Sequence, residues 1–242
     1  MTSRREPWTL LGIPIHLDAG WFVIVALMSW SLARSYFPGA SPGFPHVVYW
    51  GMGVAAALLL FACILLHELG HSLVARSYGI PVACVTLFIF GGVSQMTESP
   101  KRPSVELQVA LAGPLVSILI AVVCFWASAH LPLQNVLAVI LHYLGVINVG
   151  LALFNLLPGF PLDGGRVLRA TLWALTGSLQ RATRVASFLG AGIGLGLLAL
   201  GVWVISRGGW VGGLWYVFLG WFLRNAALAS YRRASGAQTS GA

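Results

Sequence analysis

His67, Glu68 and His71 stand at the end of an apolar run that carries no charge from Val47 to Leu66. An ionisable side chain in hydrocarbon carries a desolvation cost, so such a residue marks a functional site. His67 and His71 are four residues apart. On an α-helix that spacing puts both imidazoles on one face, about 6 Å apart along the axis. Both can then reach one zinc ion at about 2.0–2.1 Å. Glu68 is turned about 100° from His67, close to the ion without ligating it. The pattern H-E-x-x-H therefore supplies two ligands and a general base.

A hydrolytic zinc needs a third protein ligand and an open position. Asp163 has the context for it. It follows Asn155-Leu156-Leu157-Pro158-Gly159-Phe160-Pro161-Leu162, where two prolines and a glycine break a helix. The break turns the chain back and can aim a carboxylate at a metal held by another helix. The remaining acids, Glu6, Asp18, Glu98 and Glu106, fall in loops or near span ends. Asp163 also stands where an N-cap of the helix starting Gly164-Gly165-Arg166 would stand. Both roles stay open, and the incomplete two-histidine site favours the ligand. Asn155 is either an interhelical hydrogen-bonding residue or a donor to a developing oxyanion. His16, His46, His130 and His142 have no partners at ligand spacing and read as interfacial or structural.

The elements that position these residues follow from composition. The chain has 242 residues, 58% of them hydrophobic and 8% charged, against about 25% charged in a soluble domain. It reads as a mainly α membrane protein. Windows of about 20 apolar residues give six transmembrane helices, over 20–37, 47–78, 107–129, 136–157, 185–205 and 210–228. Residues 81–97 are β-branched and aromatic around Gly91-Gly92 and read as a small membrane-associated β segment or re-entrant hairpin. Residues 8–16 can add a strand beside it. Residues 164–183 read as a basic amphipathic surface helix. The domain reading is an N-terminal segment over 1–19, one six-span domain over 20–229, and a flexible tail or linker over 230–242. No cleavable signal peptide is evident, and the stretch from Gly20 reads as a retained first span.

The net charge of +8 comes without a dense basic cluster, so nucleic acid is not an expected partner. The excess is topology information. With a cytoplasmic N-terminus, Arg34 and Arg207 lie outside and the other twelve of the fourteen lysines and arginines lie inside. Both termini, and the histidine end of the second span, are thus expected on the cytoplasmic side. Cys63, Cys84 and Cys124 are scattered in apolar sequence and imply no disulfide framework.

HELGH at 67–71, FGG at 90–92, AGP at 112–114 and NLLPGFPLDGGR at 155–166 together resemble the site-2 protease family of intramembrane zinc metalloproteases. The resemblance covers the membrane domain, with the motifs in the family's order. It implies one zinc per chain held by His67, His71 and Asp163, with Glu68 activating water. It also implies that Asn155 positions substrate or stabilises the oxyanion, and that Phe90, Gly91 and Gly92 belong to a hairpin that handles substrate. The layout resembles the prokaryotic branch without a PDZ insert, hence a multi-pass protein of a prokaryotic cell membrane. Many relatives in that branch carry a C-terminal CBS module, and none is expected in these residues.

The function expected is a zinc-dependent intramembrane endopeptidase that cuts transmembrane segments of other proteins, with the bilayer as its surroundings and its oligomeric state open. Two other readings are a membrane metal-ion transporter or sensor, and an inactive relative that binds transmembrane segments. A transporter needs acidic or histidine residues staged along a path, and the chain has few. The intact Glu68 speaks against an inactive relative.

Overall fold

The computed structural model describes residues 8–89, 91–132 and 135–236. The chain folds into two compact units. The first comprises residues 1–99 and 112–152, the second residues 100–111 and 153–242. Two of the three divisions fall inside long helices, and the third, between Ser99 and Pro100, lies between elements.

The first unit opens with strands β1 (Trp8–Leu10) and β2 (Ile13–Leu17). Helix α1 (Ala19–Ser31) follows, capped by the Asp18 carboxylate, which accepts from the Gly20 N–H at 2.8 Å. A π-helical turn (Leu32–Tyr36) leads into α2 (Phe37–Ala40). Helix α3 (His46–Ser77) is 32 residues long and carries HELGH in its last turns. Strands β3 (Val82–Phe88) and β4 (Gly91–Met96) form the expected hairpin, with Leu87 opposite Gly92. The sheet runs β1-β2-β3-β4, antiparallel except for the β2–β3 pair. Residues 8–16 thus do add strands beside the hairpin. The sheet is positioned by its alternation: Val85 points in from β3, meets Ile13 of β2, and both pack on Leu69 of α3.

The larger core of this unit joins Met52, Ala56, Ala57, Leu60 and Cys63 of α3 to Ile140, Tyr143 and Leu144. The latter three belong to α5 (Val136–Asn155). Small residues set the spacing. A Cβ on Gly53 would lie 2.5 Å from the Ser29 carbonyl oxygen, the close helix approach that membrane interiors favour.

Helix α4 (Pro103–Ala129) begins in the second unit and ends in the first. The second unit continues with α6 (Asp163–Thr176), α7 (Leu179–Ser206) and α8 (Trp210–Gly236). Gly190, Gly194, Gly201, Gly213 and Gly220 line close backbone approaches in this unit. A Cβ on Gly194 would sit 2.7 Å from the Gly220 carbonyl oxygen. The basic helix is shorter than the expected 164–183. Gly177 takes the left-handed conformation, φ 65°, and ends α6, so residues 179 onward belong to α7. Helix α8 runs through Gly236, past the start of the tail expected at residue 230.

Four helices, α3, α4, α5 and α7, are long and apolar enough to cross a membrane among the described residues. The other two expected spans are helical but do not meet that measure. The π-helical turn divides the first, and Trp210, Trp215, Tyr216 and Trp221 lower the hydropathy of α8. Such rings suit a membrane–water interface. Leu115, Leu119, Val122, Val123 and Trp126 of α4 are all exposed, as hydrocarbon-facing side chains would be. Cys63, Cys84 and Cys124 are free thiols, the first and last buried.

Candidate functional site

In the first unit, α3 holds His67 and His71 one turn apart, each only 3% exposed. Their Nε2 atoms are 3.2 Å from one another. Two ligands on one tetrahedral zinc at the usual Zn–N length stand about 3.3 Å apart. The pair therefore already converges as one ion would require. The Nδ1 of His67 lies 2.9 Å from the hydroxyl of Ser117, on α4.

Glycines make the room. A Cβ on Gly113 of α4 would fall 2.2 Å from Nε2 of His71 and 2.6 Å from Nε2 of His67. Only a residue without a side chain leaves the space in front of both nitrogens open. Gly70, inside the HELGH motif, lets α4 come that close, because a Cβ there would lie 3.1 Å from the Ala112 carbonyl oxygen and 2.9 Å from Val116. Two convergent imidazole nitrogens beside a cradle that any Cβ would fill suit a metal ion. Gly113 and Ser117 were not legible as site residues from spacing, since a glycine and a serine in an apolar helix resemble ordinary packing residues.

Glu68 is half-buried on the neighbouring face of α3. Gly92 of β4 lies directly against it, and a Cβ there would be 2.6 Å from Cγ of Glu68. The Ser72 hydroxyl donates to the Glu68 carbonyl at 2.8 Å and stands 2.7 Å from the Ser94 hydroxyl. The hairpin is thereby fastened to α3 one turn beyond the glutamate. Gly91, at φ 129°, turns the hairpin in a conformation that favours glycine. Phe90 lies outside the described residues.

In the second unit, Asn155 is the last residue of α5 and Asp163 the first of α6. Between them the Phe160 N–H donates to the Ala186 carbonyl at 3.1 Å. The chain then folds back tightly. A Cβ on Gly164 would lie 2.2 Å from the Leu156 carbonyl oxygen, and one on Gly165 2.4 Å from the carbonyl carbon of Gly159. The sequence Asp163-Gly164-Gly165 is thus the one that lets α6 begin against the end of α5. Asp163 is not the N-cap: Leu162 occupies that position without a side-chain hydrogen bond. Glu106, read from sequence as a span-end acid, is buried in the first turns of α4. There it accepts from Arg169 Nε at 2.6 Å and pairs with the same guanidinium through Nη2. Arg169 in turn sits 4.9 Å above the ring of Phe160. This pair ties α6 and the helix break to α4.

Comparison with known proteins bears on these features. The family model described as Peptidase family M50 matches residues 55–139 and 129–198. The chain is 40% identical over 236 residues to "Putative zinc metalloprotease sll0528" of Synechocystis, covering 97% of this chain and 61% of that protein. It is 34% identical over 194 residues to "Zinc metalloprotease MJ0392" of Methanocaldococcus jannaschii, covering 80% and 52%. The chain thus spans about 50–60% of the length of these relatives. The solved structure "Site-2 Protease from Methanocaldococcus jannaschii" superposes with a TM-score of 0.62 at 28% identity, over 93% of each chain. With HELGH, the Gly113 cradle and the NLLPGFPLDGGR break all inside the matched regions, the chain belongs to peptidase family M50, the family of the site-2 proteases.

Proposed function

We propose that the chain is a zinc-dependent endopeptidase that cleaves membrane-spanning segments of other proteins. The observation that carries this reading is the buried His67–His71 pair, converging at 3.2 Å inside an apolar helix beside Glu68. His67, His71 and Asp163 hold one zinc, a donor set of the kind that could bind a metal ion. The zinc would supply Lewis acidity and bring the pKa of a water near neutrality. Glu68 takes the proton of the attacking water and delivers it to the leaving amine. Asn155, at the end of α5, donates a hydrogen bond to the substrate carbonyl oxygen as negative charge develops on it.

The hairpin holds the substrate. β4 is an outer strand of the sheet and lies against Glu68 through Gly92. A peptide bond within a helix is shielded, so a substrate helix must unwind before cleavage. An unwound stretch can add to the outer edge of β4, with Gly91 and Gly92 at its turn. The arginine and lysine distribution supports a cytoplasmic opening and cytoplasmic termini.

The test uses detergent-purified protein mixed with a fraction of single-span membrane proteins, with new termini read by mass spectrometry. Glu68→Gln should retain zinc and lower the cleavage rate by about 10²–10⁴-fold. Cleavage by that variant at the wild-type rate would sink the mechanism.

A further inference from the structure

We propose that Ser117 is a positioning residue for the metal centre: its hydroxyl accepts the Nδ1–H of His67 and thereby presents the Nε2 lone pair to the metal. The inference rests on His67 and His71 being zinc ligands. Ser117 is fully buried, His67 is 3% exposed, and the two groups are 2.9 Å apart. A neutral imidazole that offers Nε2 to a metal carries its proton on Nδ1, and the partner of that proton fixes both tautomer and ring orientation. The ring sits in a buried, apolar part of the unit, so the partner must come from the protein. Ser117 meets that need from α4.

Position matters as much as chemistry. Ser117 follows Gly113 by four residues and so shares its face of α4. Gly113 clears the space before Nε2 of His67, and Ser117 engages Nδ1 of the same ring. One helix face therefore both opens the ligating side of the imidazole and anchors its opposite side. Elsewhere in the protein a buried serine lacks such a role: Ser187 is 1% exposed and its hydroxyl has no hydrogen-bond partner. Ser187 is the natural control for loss of a buried hydroxyl.

The experiment measures zinc affinity of detergent-purified wild type, Ser117→Ala and Ser187→Ala by chelator competition, and the melting of each without metal. Ser117→Ala should bind zinc about 10–100-fold more weakly while its metal-free form still melts cooperatively, and Ser187→Ala should bind as wild type does. Equal affinity in Ser117→Ala and wild type would overturn the proposal. So would an equal loss of affinity in Ser187→Ala, which would make the effect that of losing any buried hydroxyl. If Ser117→Ala does not fold, Ser117→Thr, which keeps the hydroxyl, must retain wild-type affinity, and weaker binding there overturns the proposal. A wild type that binds no zinc would sink the reading of the centre itself, whereas tight binding by both proteins sinks the role of Ser117 alone.

Discussion

Glu68 is shaped by what lies against it. Gly92 meets its Cγ where a Cβ would approach to 2.6 Å, so Gly92→Ala should push the carboxylate away from its working position while the histidines stay in place. Zinc content should be unchanged and cleavage should fall by about 100-fold, the cost of a misplaced group of about an ångström. Retained activity with full zinc would show that Glu68 tolerates the shift. At this scale the sequence was informative where polar groups were expensive. His67, Glu68 and His71 stood out because nothing else explains ionisable groups in that apolar run. Ser117 did not, and Gly113 was marked only by its place in AGP and not as a site residue, because small residues recur throughout such helices for packing alone. Their role exists only once α4 is placed against α3.

Among elements, the Glu106–Arg169 ion pair helps to seat α6. Glu106 is buried at 1% exposure, while Arg169 is 20% exposed and stacks on Phe160. Removing the arginine leaves a buried carboxylate without its partner, a loss of about 3–5 kcal/mol for such pairs. Arg169→Ala should therefore melt well below wild type. The double variant Glu106→Gln, Arg169→Gln should recover part of the loss, since it removes the stranded charge. Additive losses would show that the pair does not couple α4 to α6. The pair was hidden in the sequence because 63 residues separate its members, and Glu106 looked like one more acid near a helix start. The hairpin, by contrast, was legible from its β-branched run and Gly91-Gly92, since turn chemistry is local. The extent of α6 was not, because its basic residues continue into α7 across Gly177 and charge alone does not mark the boundary.

Over the whole molecule, hydropathy anticipated where the helices lie, and four of them, α3, α4, α5 and α7, are both long and apolar enough to cross a membrane among the described residues. The first and last expected spans were harder to delimit. A π-helical turn interrupts one, and the aromatic content of the other suits an interface as well as a bilayer core. The central claim is the proposal that His67, His71 and Asp163 hold one zinc. The most direct test is metal analysis of purified wild type beside His67→Ala and Asp163→Ala. The account predicts one zinc per wild-type chain and loss of stoichiometric zinc in both variants. Full zinc retained at wild-type affinity in Asp163→Ala would contradict it.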